Sequence, residues 1–192
     1  MITFASVVSL LALILSLYNT ISNRKTLSVQ IKAEGLFNRV VDLNNKDILS
    51  QHEKGVFIGI QILNPSPKDI GYFNLQFIDA ASNKAFGCLS KEIIDQEFES
   101  KRLFAYNTHT KRKTLLHLID SKFGTIPSNS LRRFETIVFP TSQNFIVTFK
   151  VPIRTFKKNP YAKSDRYFKH YSEVIKLSDE EWQELRNSKY EI

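Results

Sequence analysis

At 192 residues, with 42% hydrophobic and 24% charged side chains and a formal charge of +8, the chain is long enough for one domain with a sizeable core and too short for two large ones. Its 15 Phe and 7 Tyr against 6 Gly and 6 Pro exclude a low-complexity or collagen-like chain, and its single cysteine excludes an internal disulfide.

Ile2 to Ile21 carries no charged side chain, and Val7, Val8, Leu10, Leu11, Leu13, Ile14, Leu15 and Leu17 leave no broad polar face. Twenty residues at ~1.5 Å each match a hydrocarbon core of roughly 30 Å, so residues 1–22 are expected to form a transmembrane anchor in contact with lipid through residues 2–21. A cleaved signal fits less well: Met1 to Ser6 has no Lys or Arg, and Tyr18, Asn19 and Thr20 stand where a small-residue cleavage site would be. Arg24, Lys25, Lys32 and Arg39 follow the segment and no basic side chain precedes it, which by the positive-inside rule predicts a single-pass protein of the cell membrane with its domain in the cytoplasm, an extracytoplasmic domain being the alternative. Ala5, Ser9, Ala12 and Ser16 share one stripe of the helix, a surface suited to a homodimer or a partner span.

Residues 23–192 are expected to be a single domain. Leu27, Val29 and Ile31 alternate with polar residues, as in a strand with one buried face, and a weaker strand covers Arg39 to Leu43. A polar break from Asn44 to Lys54 precedes the strongest core strand, in which Val56, Ile58, Ile60 and Ile62 point one way. Two prolines in Asn64-Pro65-Ser66-Pro67 end it. Tyr72 to Ile78 and Phe86 to Leu89 make a hairpin, Ser90 to Glu99 a short helix, and Lys101 to Thr114 an exposed loop or hairpin. Leu131 to Phe139 and Asn144 to Val151 are two clear strands, and the short link Pro140 to Gln143 predicts that they pair as antiparallel neighbours. Tyr167 to Leu177 is a last strand. Ser178 and Glu181 form a capping box opening a helix over 179–187, with Trp182 and Leu185 on its apolar side. Short strands separated by Pro, Asn and Ser-rich turns predict a mainly β fold, an antiparallel immunoglobulin-like sandwich with a C-terminal helix, with a small barrel as the alternative.

The charge is uneven. Lys101 to Lys169 holds 15 basic side chains against Asp120, Glu135 and Asp165, a net of +12. The basic half reads first as a solvated face; for a partner, Lys111, Arg112, Lys113, Lys157 and Lys158 are the candidate binding residues, and an anionic lipid surface is a better match than nucleic acid. Aromatic residues beside basic ones, as in Arg132-Arg133-Phe134, belong to no recognisable nucleic-acid module.

No catalytic, cofactor or metal motif is present. His52, His109, His117 and His170 are far apart and none has a second ligand at metal spacing, and Cys88 has the neighbours of a small buried hydrophobe. There is no P-loop, GxGxxG or GxSxG. The chain is read as non-enzymatic and free of cofactors.

The uncharged N-terminal segment, the joint Leu17-Tyr18-Asn19-Thr20-Ile21-Ser22-Asn23-Arg24-Lys25 and the β domain that follows at once resemble a diffuse class of small membrane-anchored bacterial and prophage proteins. Some of these are superinfection-exclusion proteins. The resemblance implies a membrane-tethered interaction protein, with phage exclusion or host defence as its sharpest version and a tethered enzyme or regulator with a scattered site as the alternative. It is a likeness of layout and carries no functional residue over.

Overall fold

The computed structural model of the chain describes residues 4–22, 27–94, 102–152 and 168–188. Helix α1 (Phe4–Ser22) forms where the anchor is expected. Among the described residues, however, no helix is long and apolar enough to cross a membrane, so the expected span is not supported by the fold itself.

The domain is mainly β, in two antiparallel sheets. The first has the order β6-β5-β1-β2-β8 and the second β10-β9-β3-β4, with β7 pairing to β3. Its frame is a long hairpin of β1 (Ser28–Val41) and β2 (Asp47–Asn64), paired from Ser28 opposite Leu63 to Val41 opposite Asp47, with the register shifting between Ala33 and Gly35, Phe37 and Arg39, and Val40 and Val41. The expected polar break before Val56 is thus much shorter than its composition suggests. Backbone pairing does not ask for apolar side chains, and the turn itself needs only Asp42 to Lys46. The Asp42 carboxylate accepts from the N–H groups of Asn44 and Lys46 at 2.8 and 2.9 Å, while Asn45 takes φ 60°. Arg39 then forks onto Asp47 across the hairpin, at 2.7 and 2.5 Å.

The chain leaves β2 at Asn64, which is fully buried. Its amide donates to the carbonyls of Lys68, Ile126 and Pro127, and its side-chain oxygen accepts from Ser66 N–H and Oγ. One side chain so ties two loops together and sends β3 (Ile70–Asp79) into the second sheet, where β4 (Ala85–Phe86) forms the expected hairpin with it. Of the expected short helix, only a 3-10 turn at Lys91–Ile93 is described, and residues 95–99 lie outside the described residues.

Strands β5 (Leu103–Tyr106) and β6 (Lys113–Leu116) are a hairpin on the free edge of β1, and β7 (Gly124–Ile126) adds to β3. Strand β8 (Ser130–Val138) pairs with β2, whereas β9 (Asn144–Pro152) pairs with β3 and with β10 (Phe168–Lys176). This corrects the expectation that β8 and β9 are neighbours: their short link crosses from one sheet to the other. The crossing is held by Asp79. Thr141 Oγ1 donates to one carboxylate oxygen at 2.5 Å, and the N–H groups of Ala81 and Ser82 donate to the other at 2.8 Å each.

The Thr141 hydroxyl, then the Ser82 N–H, hold the Asp79 carboxyl well below the usual carboxylate range. A depressed folded-state value contributes stability above the unfolded pKa, about 3.9, and loses it as pH falls through the folded value. The gap in urea midpoint between the parent and Asp79→Asn should therefore be widest above about pH 4 and shrink on acidification. A gap that stays constant down the acid limb would contradict this assignment.

Between the sheets lie Val56, Ile58, Ile60 and Ile62 from β2, Leu75 and Phe77 from β3, and Phe145, Val147 and Phe149 from β9. Helix α2 (Asp179–Ser188) closes one end through Leu185, 2% exposed, with Trp182 packed beside it. The capping box is formed as expected: Glu181 N–H donates to Ser178 Oγ at 3.2 Å, and Ser178 N–H to the Glu181 carboxylate at 2.9 Å.

A second core lies on the opposite face of the first sheet. Phe37, Val40, Phe57 and Ile137 from that sheet meet Leu89 and Ile94 after β4, Leu103 and Ala105 on β5, and Leu116 and Leu118 around β6. Phe57 is completely buried although its neighbours Val56 and Ile58 face the other core, so this part of β2 is covered on both sides.

Candidate functional site

The second core ends at one carboxylate. Glu135 projects from β8 on the same face as Ile137 and is 1% exposed, because the chain at His117 and Leu118 lies along the edge of β8. Glu135 N–H donates to the His117 carbonyl at 2.8 Å, and His117 N–H returns a bond to Glu135 Oε2 at 2.6 Å. A buried carboxylate needs such partners, since an unpaired one is expensive. Arg133 Nε supplies another, on Oε1. Arg133 Nη2 also reaches both oxygens of Glu34, at 3.1 and 3.2 Å. Glu34 lies across Gly59, where any Cβ would run into its carboxylate. Gly59 thereby makes room for a row of Glu34, Arg133 and Glu135 on this face.

His117 Nδ1 stands 3.0 Å from the same Oε2, and its ring is largely exposed. Beside it opens a cleft of about 260 Å³, with Ile94, Leu103, Leu116 and Leu118 as its apolar floor and Lys91, His117, Asp120, Arg132 and Arg133 around it. Lys91 is paired with Asp120. Arg132 has no carboxylate partner among the described residues. With Nδ1 turned to a carboxylate, the imidazole is oriented for proton exchange at Nε2. Among the described residues its lining offers no hydroxyl or thiol for it to activate. Among the described residues no group of His, Cys, Asp and Glu is placed to hold a metal. Burial pushes the Cys88 thiol up, away from the thiolate a nucleophile needs.

The basic triplet of the β5–β6 hairpin is partly committed to structure. Arg112 Nη1 donates to the Glu34 carbonyl at 3.1 Å, with its guanidinium 6.0 Å from the Phe37 ring centre. Lys113 Nζ donates to the carbonyls of Asp42 and Leu43, at 3.1 and 3.3 Å, and to Asn45 Oδ1 at 2.9 Å, over the Phe104 ring. These two side chains bind the hairpin to β1 and its turn. Lys111, at φ 56° in the hairpin turn, is exposed with no partner among the described residues. Lys157 and Lys158 lie outside the described residues.

The four histidines fall in four places: His52 on β2, His109 in the β5–β6 turn, His117 at the cleft and His170 on β10. The aromatic rings near basic residues are largely occupied. Phe134 packs on Tyr72, with ring centres 5.9 Å apart, and Phe168 on Phe73 at 4.8 Å. Such rings are not free to stack on bases. The Glu34, Arg133, Glu135 and His117 group was not singled out from the sequence. Its one local signal is an acid inside an apolar run, Phe134-Glu135-Thr136-Ile137-Val138.

Comparison of the chain with protein-family models, with curated proteins and with solved structures returns no match.

Proposed function

We propose that the chain is a membrane-tethered, non-enzymatic interaction module, with α1 as its anchor and the β domain as its working part. The observation that carries this reading is the state of α1. Over 19 residues it has no charge, and its described large apolar side chains, from Phe4 at 86% to Leu17 at 54%, stand exposed on every side. A helix apolar all round needs either a core or a lipid phase. Nineteen residues reach ~28 Å, at the lower edge of what a hydrocarbon core of roughly 30 Å asks for.

An immunoglobulin-like build of the domain is supported by the order β1-β2-β8 in one sheet against β3-β9-β10 in the other, with crossings after β2 and after β8. The basic residues that follow α1 support a cytoplasmic domain. Layout suggests phage superinfection exclusion or host defence. To test that role, cells producing the full chain are challenged with phage, beside cells producing a Leu11→Arg, Ile14→Arg variant whose anchor is broken. Plating should fall only with the intact anchor, at unchanged phage adsorption. Equal plating on both would remove the exclusion role.

A second reading, a tethered enzyme or regulator, is favoured by one observation. The cleft gathers Lys91, Asp120 and Arg132 from three separate segments of the chain around His117, a histidine held by a buried carboxylate.

A further inference from the structure

We infer that the end of the sandwich where β1 begins docks on an anionic lipid surface, with Leu63 and Leu131 entering the head-group layer and Lys32, Lys68 and Arg132 meeting lipid phosphates. The inference rests on α1 being held in the membrane and adds a second contact to it.

The first support is an exposed apolar pair where none is needed. Ser28 opposes Leu63 on β2, and Leu63 opposes Leu131 on β8, so the three form one row across the end of the first sheet. Leu63 is 42% exposed and Leu131 62%. Side chains directly opposite on antiparallel strands stand ~5 Å apart, so the leucines form a continuous patch. The second core that covers this face elsewhere stops short of them, since its β8 and β2 members are Ile137 and Phe57.

The second support is charge. Gln30 and Gln61, then Lys32 and Gly59, occupy the next rows on the same face. Lys68 follows in the loop after β2, and Arg132 follows Leu131. Lys32, Lys68 and Arg132 are exposed and have no carboxylate partner among the described residues. Of the acids nearest these cations in sequence, Asp69 has its carboxylate engaged by Ser128 N–H at 2.8 Å, and Glu34 and Glu135 are both paired with Arg133. Leucines ringed by unpaired cations match an anionic bilayer surface, which offers apolar depth beneath a negative layer.

The third support is the length of the connection. Helix α1 ends at Ser22 and β1 starts at Ser28, six residue steps that span at most about 22 Å when fully extended. Ser28 is itself in the leucine row. If α1 sits in the bilayer, this end of the domain is the one the chain holds near lipid, at a high effective concentration.

The test uses the full chain in vesicles of phosphatidylcholine, with and without phosphatidylglycerol. In a Cys88→Ala background, an environment-sensitive fluorophore is attached at Leu131→Cys or, at the other end of the sandwich, at Ser82→Cys. In phosphatidylglycerol vesicles the probe at 131 should shift to the blue and be quenched severalfold by a head-group nitroxide lipid, while the probe at 82 stays unquenched. Lys32→Glu with Lys68→Glu and Arg132→Glu should return position 131 to its level in neutral vesicles. Equal exposure at both positions, in protein that resists alkaline carbonate extraction, would overturn the docking and leave the anchor standing. A blue shift without lipid quenching would assign the leucines to a second copy of the chain and also overturn it. Protein that washes out of the vesicles would bring down the anchor and the docking together.

Discussion

Phe57→Ala is expected to destabilise the domain by about 3–5 kcal/mol, the usual cost of emptying a fully buried aromatic site. Phe57 has no exposed surface and lies against Phe37, with ring centres 5.2 Å apart, on the face of β2 that turns away from the main core. In a plain sandwich that face would be wet and the substitution nearly neutral. The large cost follows from the cover laid over it by the segment after β4 and by the β5–β6 hairpin. Chemical denaturation read through Trp182, the chain's one tryptophan, reports it, because that ring packs against the main core and not the second one. A loss below about 1 kcal/mol would mean that the second core is not closed.

Glu135→Ala comes next, at about 2–3 kcal/mol. Its carboxylate is 1% exposed and takes bonds from His117 N–H, 2.6 Å away, and from Arg133 Nε, so its loss leaves a donor without an acceptor at the margin of the second core. The full penalty of a broken buried pair does not apply. Arg133 is 44% exposed, can return to water and keeps Glu34. Glu135→Gln retains an acceptor for His117 N–H and should cost less. If Gln and Ala are equally damaging, charge pairing with Arg133 matters more than the backbone bond. If neither costs anything measurable, the group is not what closes this end of the core.

Local chemistry made several elements legible in the sequence. Ser178 and Glu181 mark the start of α2 because a capping box is a contact between near neighbours, and the run Val56, Ile58, Ile60, Ile62 marks an inward face because a strand's side chains alternate. Partnership between strands was less legible. The link Pro140 to Gln143 fits a hairpin or a crossing equally well, and Asp79, more than sixty positions earlier, holds the crossing. The polar start of β2 has the composition of a break, because its pairing with β1 runs through backbone groups. Phe57 falls on the opposite face of that alternating strand, and the residues that bury it come from distant segments, Leu103 to Leu118 and Ile137 among them. For the candidate site, the basic residues were visible in the sequence but not their commitments, since Arg112 and Lys113 end on carbonyls of β1 and its turn. Glu135 and His117 meet only because the chain after β6 returns along the edge of β8.

The central claim is that α1 holds the domain at a bilayer, and flotation tests it most directly. Membranes from cells producing the full chain are washed with alkaline carbonate and floated through a density gradient, beside the Leu11→Arg, Ile14→Arg variant. The account predicts that the parent chain floats with the lipid and that the variant stays in the soluble load with its β domain folded. A parent chain left in the load, soluble and folded like the variant, would contradict it.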